Sequence, residues 1–429
     1  MSRYHERAVG GHALKPQTLM MGYGYDPALS EGSIKVPLFQ TSTFVFKSAE
    51  DGKRFFEVAY GLREQAPNEA LGLIYSRINN PNLEILEDRL AIWEGAEKAL
   101  VFSSGMAAIT TTLLTHARPG DIIVHSAPVY GGTEYLLDRI LPQFGIDAVA
   151  MRPTMTEAEV KQVFEEAAAK AKAHGGRIAA VHIETPANPT NELTDIEAVA
   201  RIARGYGVGD KRPVITVDNT FLGPIWQRPL EQGADYALYS LTKYVGGHSD
   251  VVAGGCLGKA GAIKPVGEMR TILGTTLDPH SAWLLLRSLE TMELRMSRAA
   301  ENARVAAAFL NRHPKVDQVL FLGDLPAGSD QARIFSKQCS GAGSTFSLRL
   351  KGGEAEAFRF LNGLKIIKLA VSLGGTESLA SHPASMTHSD YSPNAKRAYG
   401  IGDDLVRVSI GIEDARDIVA DLDRALAAV

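Results

Sequence analysis

KALVFSSGMAAITTTLLTHARPGDIIVHS (98–126) contains one complete unit of alternation: an apolar run, a turn of small residues, an amphipathic stretch and a second apolar run. KALVFS and DIIVHS are short, apolar and bounded by turn residues, as buried strands are, whereas MAAITTTLLTHA carries the helical repeat. Strand, helix, strand is the grammar of a parallel sheet whose helix is the crossover. The same alternation extends outward in both directions. NLEILEDRLAIWEG (82–95) precedes it as a helix; TEYLLDRILPQF (133–144), TEAEVKQVFEEAAAKAKAH (156–174) and DIEAVARIARGYG (195–207) follow as helices. Between them lie the strands IDAVAM (146–151), RIAAVHIE (177–184), PVITVDN (213–219) and DYALYS (235–240). Continuous apolar runs of this kind predict a mostly parallel sheet covered by helices on both faces.

The flanks differ in texture. Residues 1–79 are rich in Gly, Pro and aromatic residues without sustained periodicity, which predicts an extended arm that packs against something else, a partner subunit being the natural candidate. A very long helical pattern, LDPHSAWLLLRSLETMELRMSRAAENARVAAAFLNRH (277–313), leads into spaced strands QVLFLG, STFSLRL, KLAVSLGG and LVRVSIGI, a second and smaller α+β domain. The division expected is 1–79 arm, 80–292 large domain, 293–429 C-terminal domain. A chain of 429 residues has ample length for this arrangement. A net charge of −4 leaves no electrostatic footprint for nucleic acid. Two cysteines, Cys256 and Cys339, form neither a CxxC motif nor a disulfide framework, and no apolar stretch has the length of a signal or a membrane span. A cytoplasmic, unprocessed, soluble protein is expected, with no membrane partner.

In open α/β sheets ligands bind beyond the carboxyl ends of the strands, so the residues ending each apolar run carry the information. RIAAVHIE ends in Glu184, PVITV in Asp218-Asn219-Thr220, DYALYS leads to Thr242-Lys243, and KALVFS leads to Ser104-Gly105-Met106 at a helix start. Glu184 and Asp218 read either as loop and cap residues or as functional carboxylates converging with one amine. An anionic cofactor with an electrophilic aldehyde and a basic ring nitrogen would use these features apart from Glu184. Its phosphate suits the helix N-terminus at Ser104-Gly105-Met106, with hydroxyls at Ser240 and Thr242 as further donors. Asp218 would keep the ring nitrogen protonated, Lys243 would form the Schiff base, and Tyr130, in PVYGGT, would stack on the ring. In LVRVSIGI, Arg407 points away from the Val406, Val408 and Ile410 face. His248, His382, His388 and Cys339 show no metal-ligand spacing, so no metal is expected.

Eight segments together resemble the Cys/Met-metabolism family of pyridoxal-phosphate enzymes, which includes cystathionine γ-synthase, cystathionine γ-lyase, methionine γ-lyase and the O-acylhomoserine sulfhydrylases. They are YSRINNPN (75–82), SSGMAAI (103–109), PVYGGT (128–133), ETPANPT (184–190), VDNTF (217–221), YSLTKYVGGHSD (239–250), AVSLGGTESLASHPASMTH (370–388) and LVRVSIGIED (405–414), in family order. The resemblance implies the type I fold of pyridoxal-phosphate enzymes, like that of aspartate aminotransferase, with pyridoxal 5'-phosphate covalently held on Lys243. It implies Asp218 at the ring nitrogen, Tyr130 stacked on the ring and acting as acid or base, and Gly105, Met106, Ser240 and Thr242 at the phosphate. Tyr75 and Arg77 match the pair given to the neighbouring subunit's phosphate, which implies an obligatory dimer and a homotetramer. Arg407, with Ser372 and Asn188, matches the site of the substrate carboxylate, and Glu377 the glutamate of members that handle cystathionine.

The activity so implied is γ-replacement or γ-elimination on a homoserine-derived amino acid, with cystathionine synthesis or acylhomoserine sulfhydrylation ahead of lysis. Gly132 stands where methionine γ-lyases commonly carry cysteine, and Arg270-Thr271 where they carry Lys-Asp, so degradation of methionine or lysis of cystathionine is the alternative. A cofactor-free Schiff-base lyase would leave Asp218 and the phosphate loop without work. A non-catalytic binding protein could share the fold, and a nicotinamide enzyme lacks its GxGxxG after a strand. The segment GLREQAPNEALG (61–72) is extra length before the Tyr75–Arg77 pair.

Overall fold

The alternation that begins at residue 98 builds a seven-stranded sheet. A computed structural model describes residues 3–67, 69 and 71–429. A short hairpin, β1 (Ala8–Val9) and β2 (His12–Ala13), lies in the N-terminal arm. The large sheet comprises β3 (Lys98–Phe102), β4 (Ile122–Ser126), β5 (Asp147–Met151), β6 (Ile178–Glu184), β7 (Val214–Asp218), β8 (Tyr236–Ser240) and β9 (Gly254–Gly258), in the spatial order β3-β9-β8-β7-β6-β4-β5. β5, β4, β6, β7 and β8 pair in parallel, and β9 runs antiparallel to both β8 and β3.

Alternate residues of each strand feed different cores, as the two-residue period of a strand requires. Leu100, Phe102, Tyr236 and Leu238 pack under the helices Gly105–His116 and Ala260–Leu273. Val181, Ile183, Ile215 and Val217 face the helices Glu157–Ala173 and Ile196–Arg204 on the other side. Every residue of β6 is buried, which explains why the strand reads as an unbroken apolar run.

The second sheet contains β10 (Val316–Leu320), β11 (Thr345–Leu350), β12 (Lys368–Leu369), β13 (Leu379–Ser381) and β14 (Leu405–Ser409), ordered β10-β11-β14-β13-β12. The helix Met292–Leu310 leads from the large sheet to the second one. Three local expectations change. The long helix predicted over 277–313 is two helices, Pro279–Leu289 and Met292–Leu310, interrupted where Arg295 donates to Ser288 O at 3.0 Å and to Thr291 Oγ1 at 3.3 Å. KLAVSLGG is strand only over Lys368–Leu369, and the rest leaves the sheet toward the cavity described below. The arm carries the one-turn helix Pro16–Leu19 and the longer Ala49–Ala59, whose cap is Ser48 accepting from Asp51 N at 3.2 Å. Within 61–72, Asn68 and Ala70 lie outside the described residues, while Arg63 pairs with Glu69 at 2.6 Å. Among the described residues no helix is long and apolar enough to cross a membrane.

Candidate active site

A cavity of about 510 Å3 opens at the carboxyl ends of β6, β7 and β8, between the large sheet and the loops of the second one. The register makes it. Glu184 and Asp218 are directly paired at the ends of β6 and β7, so their side chains share one face. Three residues past β8, Lys243 sits in a turn closed by Lys243 N to Ser240 O at 3.1 Å and Gly247 N to Lys243 O at 2.7 Å. Buried Arg295 holds that turn from behind, donating to Tyr244 O at 2.9 Å and Val245 O at 3.3 Å. The Lys243 ammonium lies 2.7 Å from Ser372 Oγ. Burial lowers its pKa to about 8, and Arg407 acts in the same direction, against a smaller opposing pull from Asp218.

Asp218, 8% exposed, receives both of its hydrogen bonds from Thr220, through Oγ1 at 2.5 Å and the backbone N–H at 3.1 Å. Burial nevertheless pushes its carboxyl above the ordinary range. Glu184 is pushed up as well, by burial first and then by the Asp218 charge. Thr220 Oγ1 also accepts from Ser240 N at 2.9 Å, tying β7 to β8 at the cavity floor. The helix Gly105–His116 begins at the rim, capped by Ser104 Oγ accepting from Ala107 N at 3.0 Å. At Gly105 a Cβ would lie 3.0 Å from Ser240 Cβ and 3.1 Å from its Cα, so the helix start can approach β8 this closely only without a side chain.

From the second sheet, Arg407 on β14 reaches across. It is 4% exposed and donates to Asn188 Oδ1 at 3.0 Å and Ser372 O at 2.9 Å, both neutral acceptors. Burial depresses its pKa to about 10. Ser372 adopts φ 102°, a left-handed conformation that is costly for a residue with a Cβ, and so turns its carbonyl to Arg407 and its hydroxyl to Lys243. Tyr130, 45% exposed, borders the opening.

The cavity thus gathers Lys243, Asp218, Tyr130, Gly105, Met106, Ser240 and Thr242, together with Arg407, Ser372 and Asn188. Thr242 Oγ1 is engaged with the backbone of Ala253 at 3.0 and 3.3 Å. Tyr75 and Arg77 do not line it: Tyr75 is 41% exposed, and Arg77 donates to Thr271 O at 2.5 Å. Glu377 stays outside as well, accepting from Ser249 Oγ and, at 3.4 Å, from Thr376 Oγ1. Thr220 is a site residue that the sequence reading passed over; its signal is the hydroxyl two residues after a strand-end aspartate, an Asx-type turn.

The chain matches the profile of the Cys/Met metabolism PLP-dependent enzymes over residues 17–427. It belongs to that family. The L-methionine gamma-lyase of Pseudomonas putida is 39% identical over 421 residues, covering 96% of this chain and 97% of that protein. The O-succinylhomoserine sulfhydrylase of Pseudomonas aeruginosa is 36% identical, covering 93% and 92%. The crystal structure of cystathionine gamma synthase from Xanthomonas oryzae pv. oryzae in complex with aminoacrylate and cysteine superimposes with a TM-score of 0.82, at 34% identity, over 96% of this chain and 98% of that one. This PLP-dependent enzyme has the α/β fold of type I members. The cavity fits the cofactor on its own terms: a buried carboxylate whose hydrogen-bond donors both come from Thr220 would be completed by a protonated ring nitrogen. The helix start at Gly105, kept bare of side-chain bulk, suits a phosphate.

Proposed function

We propose that this enzyme uses pyridoxal phosphate, held on Lys243, to exchange or break the bond at the γ-carbon of a homoserine-derived amino acid, with replacement by a thiol ahead of elimination. The observation that carries this reading is the buried guanidinium of Arg407, set by Asn188 and Ser372 in the wall of the cavity that Lys243 and Asp218 also line. An α-carboxylate there gives Arg407 the countercharge that its two neutral acceptors do not. When bound, the cofactor supplies an electrophilic carbon and a cationic ring that takes up the electron pair released at the substrate's α-carbon.

The residues do the rest. Asp218, braced by Thr220, holds the ring's proton. Ser240, Gly105 and Met106 hold the phosphate, with Thr242 beside them. The Lys243 amine, with its pKa lowered to about 8, takes the α-proton and, once it has passed that proton on, can take one from the β-carbon, whose released electron pair expels the γ-group. Tyr130, at the opening, is placed to protonate the departing γ-group. Gly132 and the Arg270 ion pair with Glu87 at 2.7 Å occupy the positions where the family's methionine-degrading members commonly differ, which supports replacement. Methionine elimination is the second reading, favoured by the similarity to the P. putida L-methionine gamma-lyase. A panel of O-acetylhomoserine, O-succinylhomoserine, cystathionine and methionine, each with and without a thiol, separates them. Thioether formed from an acylhomoserine plus thiol is the expected product; keto acid formed efficiently from methionine alone would establish the second reading instead.

Tyr75 and Arg77, remote from their own cavity, are assigned to the phosphate of a neighbouring subunit, in a dimer that itself pairs into a tetramer. Val45, Ile34 and Leu29, exposed by 93%, 82% and 83%, give the arm apolar surface for such a contact. Mixing the two inactive variants Lys243→Ala and Arg77→Ala should then restore about a quarter of wild-type activity, because half of the random dimers keep one intact site of two. No recovery after verified subunit exchange would place Arg77 in its own chain's site or in none.

A further inference from the structure

The mechanism above leaves Glu184, a carboxyl lining the cavity, without a task. Glu184 is 4% exposed, yet among the described residues it is not part of an ion pair. Its two oxygens are divided between two segments: Oε2 accepts from Tyr130 N at 2.7 Å, and Oε1 accepts from Asn188 N at 3.2 Å. Tyr130 begins the short helix Gly131–Tyr135, and Asn188 is the residue whose side chain receives Arg407 at 3.0 Å. The Glu184 backbone is itself pinned by Ser126 Oγ, which accepts from Glu184 N at 2.8 Å, so the carboxyl projects from a rigid strand end. A continuous path therefore runs from Arg407 through Asn188 and Glu184 to Tyr130.

We propose that Glu184 is a positioning residue that sets the Tyr130 phenol and the carboxylate subsite of Arg407 and Asn188 at a fixed separation, by holding one backbone amide of each. This assignment rests on the reading of the cavity as the amino-acid site. A rigid strand end is a better reference than either loop alone, because a single side chain with two acceptors cannot move toward one amide without leaving the other. The role belongs to hydrogen-bond geometry, not to charge: either oxygen accepts an N–H whether or not the group carries a proton, and burial beside Asp218 favours the neutral form. The consequence is specific. Glutamine has the same size and one acceptor in place of two, and its amide hydrogens would meet one of the two backbone N–H groups head-on. One tether must break and leave a buried donor unpaired.

The test uses the purified holoenzyme, Glu184→Gln, Tyr130→Phe and the double variant. Glycine, an amino acid with a carboxylate and no γ-group, is titrated as probe by the change in the cofactor's visible absorption. Glu184→Gln is expected to keep its cofactor at wild-type stoichiometry, to bind glycine about tenfold more weakly and to lose about tenfold or more in turnover. In the Tyr130→Phe background the turnover loss should shrink to about twofold or less, since the phenol being positioned is gone. A structural defect alone would lower cofactor content or multiply in full with Tyr130→Phe, and either result overturns the assignment. Glu184→Asp, a carboxylate one methylene too short to reach both amides, should repeat the loss if the glutamine variant does not fold; failure of both to fold would make Glu184 a core residue and overturn it too. If wild-type holoenzyme shows no spectral response to glycine, the functional reading fails and this assignment with it. If the wild type responds and Glu184→Gln matches it in both affinity and turnover, the functional reading stands and the positioning role falls.

Discussion

Lys243→Ala is expected to abolish turnover, by more than about 10,000-fold, while leaving the fold in place. The turn that carries Lys243 is held by its own backbone and by Arg295 from behind, and none of those bonds uses the lysine side chain. What disappears is the amine beside Ser372, and with it both the covalent anchor and the mobile base. Borohydride reduction followed by peptide mapping should fix the cofactor on the Lys243 peptide of the wild type and on no peptide of the variant. Wild-type turnover in the variant would remove the residue from the mechanism. The lowered pKa adds a second, independent signature in cofactor-free protein. The unfolded chain keeps this proton up to about 10.5, the folded one releases it above about 8, so unfolding between these values takes up a proton. The destabilisation caused by a buried ammonium is therefore full below pH 8 and fades as pH rises toward 10.5. Cofactor-free Lys243→Ala should melt above the wild type at pH 7, and the gap should close over that window.

The parts of the fold that could be read from the chain are those where burial on both faces makes composition unambiguous. β4, β6, β7 and β8 are continuous apolar runs, and the last three end where a polar residue, Glu184, Asp218 or Ser240, meets the cavity. β9 could not be read that way, because GGCLG carries three glycines and glycine is depleted in strands. The structure shows why Gly254 is there: a Cβ would fall 2.1 Å from Ser104 O, so the strand that flanks the Ser104–Gly105 turn must be bare. KLAVSLGG erred in the other direction. Its alternation is that of a strand, but Ser372 spends its carbonyl on Arg407 instead of a ladder, a use that local pattern does not encode.

The candidate site was legible where chemistry is carried by single residues at strand ends and obscure where it is carried by register. Lys243, Asp218 and Tyr130 stand out because an amine, an acid and an aromatic ring follow apolar runs. The pairing of Glu184 with Asp218 across β6 and β7 depends on a strand alignment that no short segment specifies, so Glu184 was visible as an acid without a visible task. Thr220 and Arg295 act through hydrogen bonds to backbone and to neighbouring side chains; Thr220 has its place after Asp218 as a signal, and nothing in the residue type of Arg295 announces its role. Tyr75 and Arg77 pose the opposite problem: the motif is plain, and neither residue lines the cavity of its own chain.

Arg407→Met is expected to raise KM for the amino-acid substrate about 100- to 1000-fold, the range for removing one partner of a desolvated charge pair. In the free enzyme the guanidinium is buried against two neutral oxygens, so its attraction for a carboxylate is little screened. Methionine fills a similar volume without a charge, and the β14 ladder with Ser347 and Ser381 is made by backbone alone. Stability should therefore hold or rise, since a buried cation lacking a carboxylate partner is a cost to the fold. Cofactor content should be unchanged, because Asp218, Ser240 and Lys243 lie on other elements. Arg407→Lys sharpens the point. It retains the charge and loses the planar fork that reaches Asn188 and Ser372 together, so KM should rise about tenfold or more. Steady-state KM and kcat for both variants, with circular dichroism melts alongside, decide the matter. A methionine variant with unchanged KM would mean that the substrate carboxylate lies elsewhere, and that the Arg407, Asn188 and Ser372 constellation serves only to join the two sheets.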